Sequence, residues 1–166
     1  MANLEELTKK AEEMEKQLKE LKSEIKRAKK DWEMQPLYEY EEQYFFVDEE
    51  GKVCESRWDD WDMDINRFSQ GNIFNTKEEA KLESKRRTLL AKFREFRNDY
   101  NEGWKPDWTD MNEAKWSAVL SDEKLSALSV YCNNSFDMFG HFKNQEDCQR
   151  AIELFGEEII ELFVGV

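Results

Sequence analysis

A seven-residue pattern occurs twice in this chain, and it predicts where two helices begin. The pattern is Phe, any residue, Thr or Asn, any residue, Glu, an acid and a small residue, and it covers 74–80 and 142–148. In the first copy, Thr76 and Glu79 have the spacing of a capping box, which satisfies the unpaired amides at a helix start. A glycine precedes each copy. Two interpretations stay open: the chain repeats one structural unit, or two unrelated helices use the same capping chemistry.

Each copy follows two short segments with the alternation of β-strands, joined by turn residues. The predicted elements are, in chain order, strands at 44–47 and 52–58, a helix at 77–100, strands at 116–120 and 125–132, a helix at 145–155 that Gly156 ends, and a short helix at 157–163. The stretch 59–72, rich in Asp and Asn, is predicted to be a loop. The fold class is therefore α+β: two β-β-α units, at 35–103 and 104–166, that form one antiparallel sheet with helices packed on it. We expect 35–166 to be one globular domain.

The first 34 residues form a separate predicted segment, because apolar side chains recur there at the a and d positions of a heptad repeat. These positions hold Leu4, Leu7, Ala11, Met14, Leu18, Leu21, Ile25, Ala28 and Trp32. No Gly or Pro lies between Ala2 and Gln35, and Pro36 ends the helix. A helix with one apolar stripe needs a partner, so we predict a coiled-coil homodimer. Capture of a partner's helix and packing on the chain's own globular part are the alternatives, and the flanking charges suit parallel and antiparallel pairing alike.

The chain is acidic, with 38 Asp and Glu residues against 25 Lys and Arg and a formal net charge of −13. Such a field disfavours direct binding to nucleic acid or to a membrane of anionic lipid. Between residues 34 and 75 the acids alternate with aromatic rings. This favours a positively charged protein as the partner, because rings supply binding energy and acids steer association. The residues predicted to bind it are Glu49, Glu50, Asp59, Asp60, Trp61, Asp62 and Asp64. The alternative is an acidic surface that serves solubility alone.

The chain also carries features of two other functions, nucleic-acid binding and scaffolding. The helix predicted at 77–100 holds basic residues that could contact phosphates: Lys85, Arg86, Arg87, Arg94 and Arg97. Nearby acids and the charge of the whole protein make direct nucleic-acid binding the weaker hypothesis. The N-terminal coiled coil could instead nucleate the assembly of a larger particle, which would make the chain a scaffold protein.

The sequence lacks the residue patterns of an enzyme or a metal site. His141 is the only histidine and the three cysteines form no CxxC pair, so neither a zinc site nor a Cys-His nucleophile is indicated. The acids of the stretch 59–64 resemble the oxygen ligands of a calcium-binding loop. The glycine of such a loop is absent, however, and Gln70 occupies the position of the last ligand. We therefore expect a non-enzymatic protein with no catalytic residue, metal or cofactor. Separated cysteines and an N-terminus without a signal sequence favour a cytoplasmic protein with reduced thiols.

The run from Arg67 to Ala80, RFSQGNIFNTKEEA, resembles a run in small uncharacterised proteins that phages and prophages of Gram-positive bacteria encode. Those proteins similarly begin with a coiled coil, followed by an aromatic strand and a glycine turn, here 44–55. A Trp-Asp segment comes next, here 58–60, and a second capped helix with an apolar tail follows, here 142–166. The likeness covers most of the chain, while residues 101–135 match only in outline.

The resemblance implies a cellular context and no particular chemistry. It implies a phage accessory protein that acts in the cytoplasm of a host bacterial cell, and no catalytic residue carries over from it. Small acidic proteins of this kind often bind and block the nucleic-acid machinery of the host, including CRISPR effectors. The resemblance therefore implies an anti-CRISPR or other anti-defence inhibitor, by analogy and not by fold alone.

Overall fold

A computed structural model describes residues 4–28, 34, 36, 38–132 and 137–165, and within the first helix it describes the side chains of residues 8–22. Its elements are, in chain order, α1 (Leu4–Ala28), β1 (Gln43–Val47), β2 (Val53–Arg57), α2 (Asp62–Ser69), α3 (Lys77–Asn101), β3 (Lys115–Ser121), β4 (Lys124–Val130), α4 (Gln145–Ile159) and a π-helical turn (Ile160–Val164). The chain thus has the predicted α+β class. Contacts divide it into two compact units, Met1–Leu37 and Tyr38–Val166. None of the helices among the described residues is long and apolar enough to cross a membrane.

The first unit is built on α1, an amphipathic helix. Its sequence combines good helix formers such as Glu, Lys and Leu with apolar residues every three or four positions. Met14, Leu18 and Leu21 are exposed, as are the other side chains described between residues 8 and 22. The single chain thus shows a helix with an open apolar stripe but not a coiled coil. Trp32 lies outside the described residues. Only the backbone is described at four of the predicted dimer positions, which are Leu4, Leu7, Ile25 and Ala28.

The four strands form two separate sheets among the described residues, so the prediction of one antiparallel sheet is wrong. β1 pairs antiparallel with β2, and β3 pairs antiparallel with β4. The registers set Phe45 opposite Glu55 and Ala118 opposite Ala127. One physical reason for the separation is that the other edge of β1 and that of β3 are already occupied.

At each of these two edges, a single residue that precedes a long helix pairs with the strand. Phe74 exchanges two backbone hydrogen bonds with Phe45, both of 2.9 Å, and Phe142 exchanges two with Trp116, of 2.9 and 2.7 Å. Because β1 and β3 are already paired on both sides at these residues, neither can join the other sheet there. Phe74 and Phe142 are also the first residues of the repeated sequence pattern. Both copies of the pattern therefore place the same bridge between a hairpin and a helix.

The repeated pattern starts both long helices where the sequence predicts. At α3, Thr76 accepts a hydrogen bond of 3.2 Å from the Glu79 amide, and the Glu79 carboxylate accepts one of 3.1 Å from the Thr76 amide. The predicted capping box is thus confirmed. At α4, Asn144 occupies the cap position without a side-chain cap bond and donates instead to the Asp147 carboxylate at 2.9 Å. The two caps share a position in the fold but differ in chemistry.

The end of α4 differs from the prediction. The helix was expected to stop at Gly156, but it runs through this residue to Ile159 and continues as the π-helical turn. Gly165 ends that turn in a left-handed conformation with φ 78°. Gly156 is buried in the helix interior against β4, where a Cβ would lie 3.6 Å from Leu125. The residue therefore lies at a helix–sheet contact and does not act as a cap.

A short helix, α2, replaces much of the loop predicted at 59–72. Asp64, Arg67 and Phe68 form its inner face, since Asp64 is buried and the other two are half-buried. Their i, i+3 and i+4 spacing is that of one helical face. The polar residues that suggested a loop, such as Asp62 and Asn66, lie on the exposed face.

The main core of the second unit lies between α3, α4 and the β3–β4 hairpin. Phe93 of α3 is fully buried, and its ring centroid lies 4.8 Å from that of Phe139, 5.6 Å from Phe155 and 5.8 Å from Phe142. Tilted and edge-to-face contacts at these distances are the favoured geometry for aromatic pairs. The aliphatic and small side chains of this core are Leu89, Cys148, Ala151, Ile152, Ile159 and Leu162.

Candidate partner-binding surface

Two chain segments meet at the open end of the β1–β2 hairpin. Trp58 donates its backbone N–H to Glu42 at 2.9 Å and accepts a hydrogen bond from the backbone of Glu41 at 2.8 Å. These bonds place the segment 39–42, which precedes β1, beside the segment 59–62, which follows β2. We call the exposed residues of these two segments the acidic surface.

The indole of Trp58 is the buried anchor of the acidic surface. It stacks on Tyr38 with 5.6 Å between ring centroids and makes an edge-to-face contact with Phe68, with 6.3 Å between centroids. Its Nε1 donates a hydrogen bond of 2.6 Å to the Asp60 carboxylate. Glu41 and Asp60 both adopt left-handed backbone conformations, with φ of 66° and 56°. The contacts of Trp58 therefore hold the backbone of both segments in place.

Two aromatic rings stand exposed on the acidic surface. Tyr40 is 70% exposed and Trp61 is 68% exposed, although aromatic side chains usually bury a large area in proteins. The exposed acids of the two segments are Glu39, Glu41, Glu42, Asp59, Asp60 and Asp62. None of these carboxylates forms an ion pair within 4.0 Å with any residue the structure describes. The surface thus combines two open rings with negative charge that no described residue neutralises in an ion pair.

A buried hydrogen-bond network supports the acidic surface. The hydroxyl of Tyr44 donates to Asp64 at 2.6 Å and accepts from Arg67 at 2.8 Å. The Arg67 guanidinium also lies 3.6 Å from the centre of the Phe46 ring, a cation–π contact. Burial and the hydrogen bond to Asp64 raise the pKa of Tyr44 above its ordinary value. The second Asp64 oxygen accepts from the backbone N–H of Asp59 at 3.0 Å, which ties the network to the acidic surface.

Asp64 therefore differs from the other residues predicted to bind a partner. It is 4% exposed, and internal hydrogen bonds occupy both of its carboxylate oxygens. It positions Asp59 and is not available for contact with a partner. The spacing of Asp64, Arg67 and Phe68 is that of one helical face and could have indicated that Asp64 is buried. The prediction of a loop at this place excluded that interpretation.

Glu49 and Glu50 are also separated from the acidic surface. They lie in the turn at the far end of the hairpin, where Glu50 pairs with Lys52. Each strand has five residues, and at roughly 3.4 Å per residue the strands place about 17 Å between the turn and the acidic surface. The acidic surface contains the segment 39–42 instead, which was not among the residues predicted to bind a partner. This segment could have been predicted from the antiparallel pairing of β1 with β2, because that pairing places the residues before β1 next to Trp58.

The basic residues of α3 do not form an open phosphate-binding face. Arg86 and Arg97 each donate to a backbone carbonyl, at 2.6 and 2.7 Å. Arg87 pairs with Glu83 at 3.0 Å. Two of the five predicted positions are exposed, Lys85 and Arg94. Three of the five cations therefore hold the fold together, which weakens the alternative of nucleic-acid binding through this helix.

Cys148 and His141 are further titratable side chains that are buried in the second unit. Burial raises the pKa of the Cys148 thiol to about 12, so this residue holds almost no thiolate at neutral pH. Burial lowers the pKa of the His141 imidazole, which is 8% exposed. Within the described ranges, no three His, Cys, Asp or Glu side chains cluster in a way that could hold a metal ion.

The chain matches none of the protein-family models, curated proteins or solved structures with which it was compared. The functional proposal therefore rests on the geometry and charge of the acidic surface.

Proposed function

We propose that the protein is a non-enzymatic binding protein whose acidic surface captures a positively charged partner protein. The observation that carries the proposal is the pair of open rings, Tyr40 and Trp61, among carboxylates that have no ion-pair partner in the described residues. A ring left in water gains no hydrophobic stabilisation until a partner covers it. Aromatic side chains surrounded by polar groups are the usual centres of protein interfaces.

The position of Trp61 supports the same proposal. Trp61 is the N-cap residue of α2, and its side chain makes no capping hydrogen bond. Ser, Thr, Asp or Asn at this position would accept a bond from a free amide and stabilise the helix. A large exposed ring at a position where a small polar residue would give more stability is best explained by contact with a partner.

Rings and charges have different tasks in such an interface. The carboxylates of the acidic surface accelerate the encounter with a basic protein and make binding sensitive to salt. The two rings form the centre that loses water on binding and supply most of the affinity. Both tasks need the two segments side by side, which is the arrangement that the Trp58 hydrogen bonds maintain.

The partner that we propose is a nucleic-acid-handling protein of a bacterial host, such as a CRISPR effector. Proteins that bind nucleic acid carry Lys- and Arg-rich surfaces, which complement carboxylates that form no ion pair with a described residue. The resemblance to phage-encoded accessory proteins supports the same class of partner. Occupation of the basic surface would exclude nucleic acid, so the protein would act as an anti-defence inhibitor by competition.

We also propose that α1 joins two copies of the chain as a coiled-coil homodimer. Met14, Leu18 and Leu21 follow the heptad spacing and are exposed in the single chain, and burial of a leucine contributes about 1.5–3 kcal/mol. Leu18→Glu should therefore give a monomer in sedimentation equilibrium, whereas Lys16→Glu, on the outer face of the helix, should leave a dimer. A monomeric wild type would overturn this part, and a higher oligomer would favour the scaffold alternative.

The test of partner binding compares two variants that each remove one exposed apolar side chain. Trp61→Ser changes the acidic surface, and Met111→Ser changes a side chain that is equally exposed in the connection after α3. Capture from host lysate identifies a candidate, and titration with that purified protein measures affinity. We expect Trp61→Ser to weaken binding at least about tenfold, as for an interface centre, and Met111→Ser to leave it unchanged.

Salt and nucleic acid test the electrostatic part of the proposal. We expect the affinity to fall as ionic strength rises and the partner's own nucleic acid to compete for the same surface. Binding that neither salt nor Trp61→Ser changes would contradict the proposed surface. Recovery of virion proteins alone would favour the scaffold alternative.

A further inference from the structure

A cleft in the second unit is lined by two cations, although the net charge of the chain is negative. It lies between the C-terminal turn of α3, the connection that follows and the segment 140–141, and its volume is about 410 Å³. Small organic ligands bind in clefts of this size. The charged residues that line it are Arg97 and Lys105, and no described Asp or Glu lines it. In a chain with a net charge of −13, this cleft is a local site that favours an anion.

The guanidinium of Arg97 is half-buried and forms no ion pair with a described residue, although the charge of Asp137 acts on it from a longer distance. It donates to the carbonyl of Phe139 at 2.7 Å and to the side-chain oxygen of Asn98 at 3.1 Å, and both acceptors are neutral. No carboxylate among the described residues lies within 4.0 Å of it. Removal of a cation from water is costly unless an anion compensates for it. An anion in the cleft would supply that compensation.

Gly140 allows Arg97 to take this position. A Cβ on Gly140 would lie 2.0 Å from the Arg97 guanidinium, far inside van der Waals contact, and the backbone there is left-handed with φ 74°. Gly71 precedes the other copy of the repeated pattern, and its Cβ position has nothing within 4 Å. The close approach is therefore a property of the cleft and not of the repeated unit.

The remaining lining of the cleft combines a flat apolar wall with an unsatisfied polar atom. Trp104 supplies an indole that is held in place, because its Nε1 donates to the Glu113 carboxylate at 2.8 Å. Pro106 adds a second apolar group. His141 also lines the cleft, and its buried Nε2 has no hydrogen-bond partner among the described residues. Buried polar atoms without a partner are rare in folded proteins.

We propose that this cleft binds a phosphate monoester carried on a flat ring, a ligand of the size of a nucleoside monophosphate. Such a phosphate carries between one and two negative charges at neutral pH, which matches the two cations. The phosphate lies against Arg97 and Lys105, and the ring lies against Trp104 and Pro106. The cleft shares no residue with the acidic surface, so the two proposals stand or fall separately.

The test is a titration of the full chain with adenosine 5′-monophosphate, followed by two-dimensional proton–nitrogen NMR at low salt. Inorganic phosphate and adenosine form separate arms, and Trp104→Phe assigns the Trp104 indole signal. We expect saturable shifts of the Trp104 and Gly140 signals with the nucleotide, and at least about tenfold weaker binding of phosphate and of adenosine. Phosphate that binds as tightly as the nucleotide would overturn the role of the ring, and adenosine that does so would overturn the role of the anion.

Two lysine variants test the position of the anion without a change in the core. Lys105→Gln removes an exposed charge at the cleft, and Lys124→Gln removes an exposed charge at the start of β4. We expect Lys105→Gln to weaken nucleotide binding at least about fivefold and Lys124→Gln to leave it unchanged. Equal effects of the two variants, or no saturation of the wild type at about 10 mM nucleotide, would overturn the proposal.

Discussion

The hydroxyl of Tyr44 in β1 donates a hydrogen bond of 2.6 Å to Asp64 in α2, 20 residues further along the chain. The bond joins the hairpin to the helix that follows the acidic surface. Because both residues are buried, neither group can turn to water if the other is removed. The buried side of this region therefore serves stability, while the exposed side remains open to a partner.

Asp64→Ala should lower the free energy of unfolding by about 2 kcal/mol or more, because the Tyr44 hydroxyl and the Asp59 amide both lose their acceptor. Asp62→Ala is the matched control, since Asp62 is an exposed acid in the first turn of the same helix. Its loss should cost no more than about 1 kcal/mol. Urea unfolding of the three proteins measures the difference, and equal losses would contradict the network.

Trp61→Ser should leave the stability unchanged or raise it by about 0.5–1 kcal/mol, because serine can cap α2 and tryptophan does not. The same substitution should weaken partner binding at least about tenfold. Thermal unfolding, read beside the binding titration, separates the two effects. A variant that loses both stability and binding would show that Trp61 has a structural role, and the proposed surface would lose its main support.

Gly71→Ala and Gly140→Ala should differ in cost although both glycines are left-handed, with φ of 65° and 74°. Alanine at Gly71 meets nothing within 4 Å, so only the backbone penalty of about 1–2 kcal/mol applies. Alanine at Gly140 must also displace Arg97 from its hydrogen bond to Phe139. We expect a clearly larger loss for Gly140→Ala in chemical unfolding, and equal losses would contradict the close approach.

The three cysteines should react with a thiol reagent at different rates. Cys132 is exposed, Cys54 is half-buried, and Cys148 is buried with its thiol pKa raised to about 12. At pH 8 the thiolate fraction of Cys148 is then on the order of one in ten thousand. We expect Cys132 to react first in the native protein and Cys148 to react only after unfolding. Cys132→Ser should abolish the fast phase, and rapid labelling of Cys148, located by mass spectrometry, would contradict its burial.

Stability should fall as the pH is lowered from neutral, and His141 should cause the change. His141 is the only histidine of the chain. Burial, together with the charges of Arg97 and Lys115, lowers its pKa below the ordinary value of 6.5, while the charge of Asp137 acts in the opposite direction. The unfolded chain therefore takes up a proton first, and stability decreases as the pH falls through 6.5 towards the folded-state pKa. His141→Gln should flatten the dependence between about pH 7 and pH 5. An unchanged slope in that variant would assign the effect to another group.

The starts of both long helices could be predicted from the sequence because the residues that mark them are close together in the chain. Thr76 caps α3 through Glu79, three residues further on, and Asn144, which makes no capping bond, contacts Asp147 at the same spacing. Hairpins are local for the same reason, and all four strands lie where the alternation places them, within two residues at each end.

Long-range contacts explain what the sequence could not reveal. One edge of β1 and one edge of β3 are closed to the other sheet by Phe74 and Phe142, each of which bridges to a residue more than twenty positions away. The burial of Asp64 depends on Tyr44, on another element. The composition of α2 is that of a loop, because Asp and Asn lie on the exposed face of this helix. The sequence shows that this region is acidic. Only the pairing of β1 with β2 shows which of its acids lie together on one surface.

The left-handed backbones of Glu41 and Asp60 give the acidic surface a rigid frame. Such conformations cost a non-glycine residue about 1–2 kcal/mol, and they persist where surrounding contacts dictate them, as the bonds of Trp58 do here. The rings of Tyr40 and Trp61 are thus attached to a main chain that is fixed before any encounter. Association would then be close to rigid-body docking, with little conformational entropy lost on binding. Differences in affinity between variants would appear mainly in the dissociation rate of the complex.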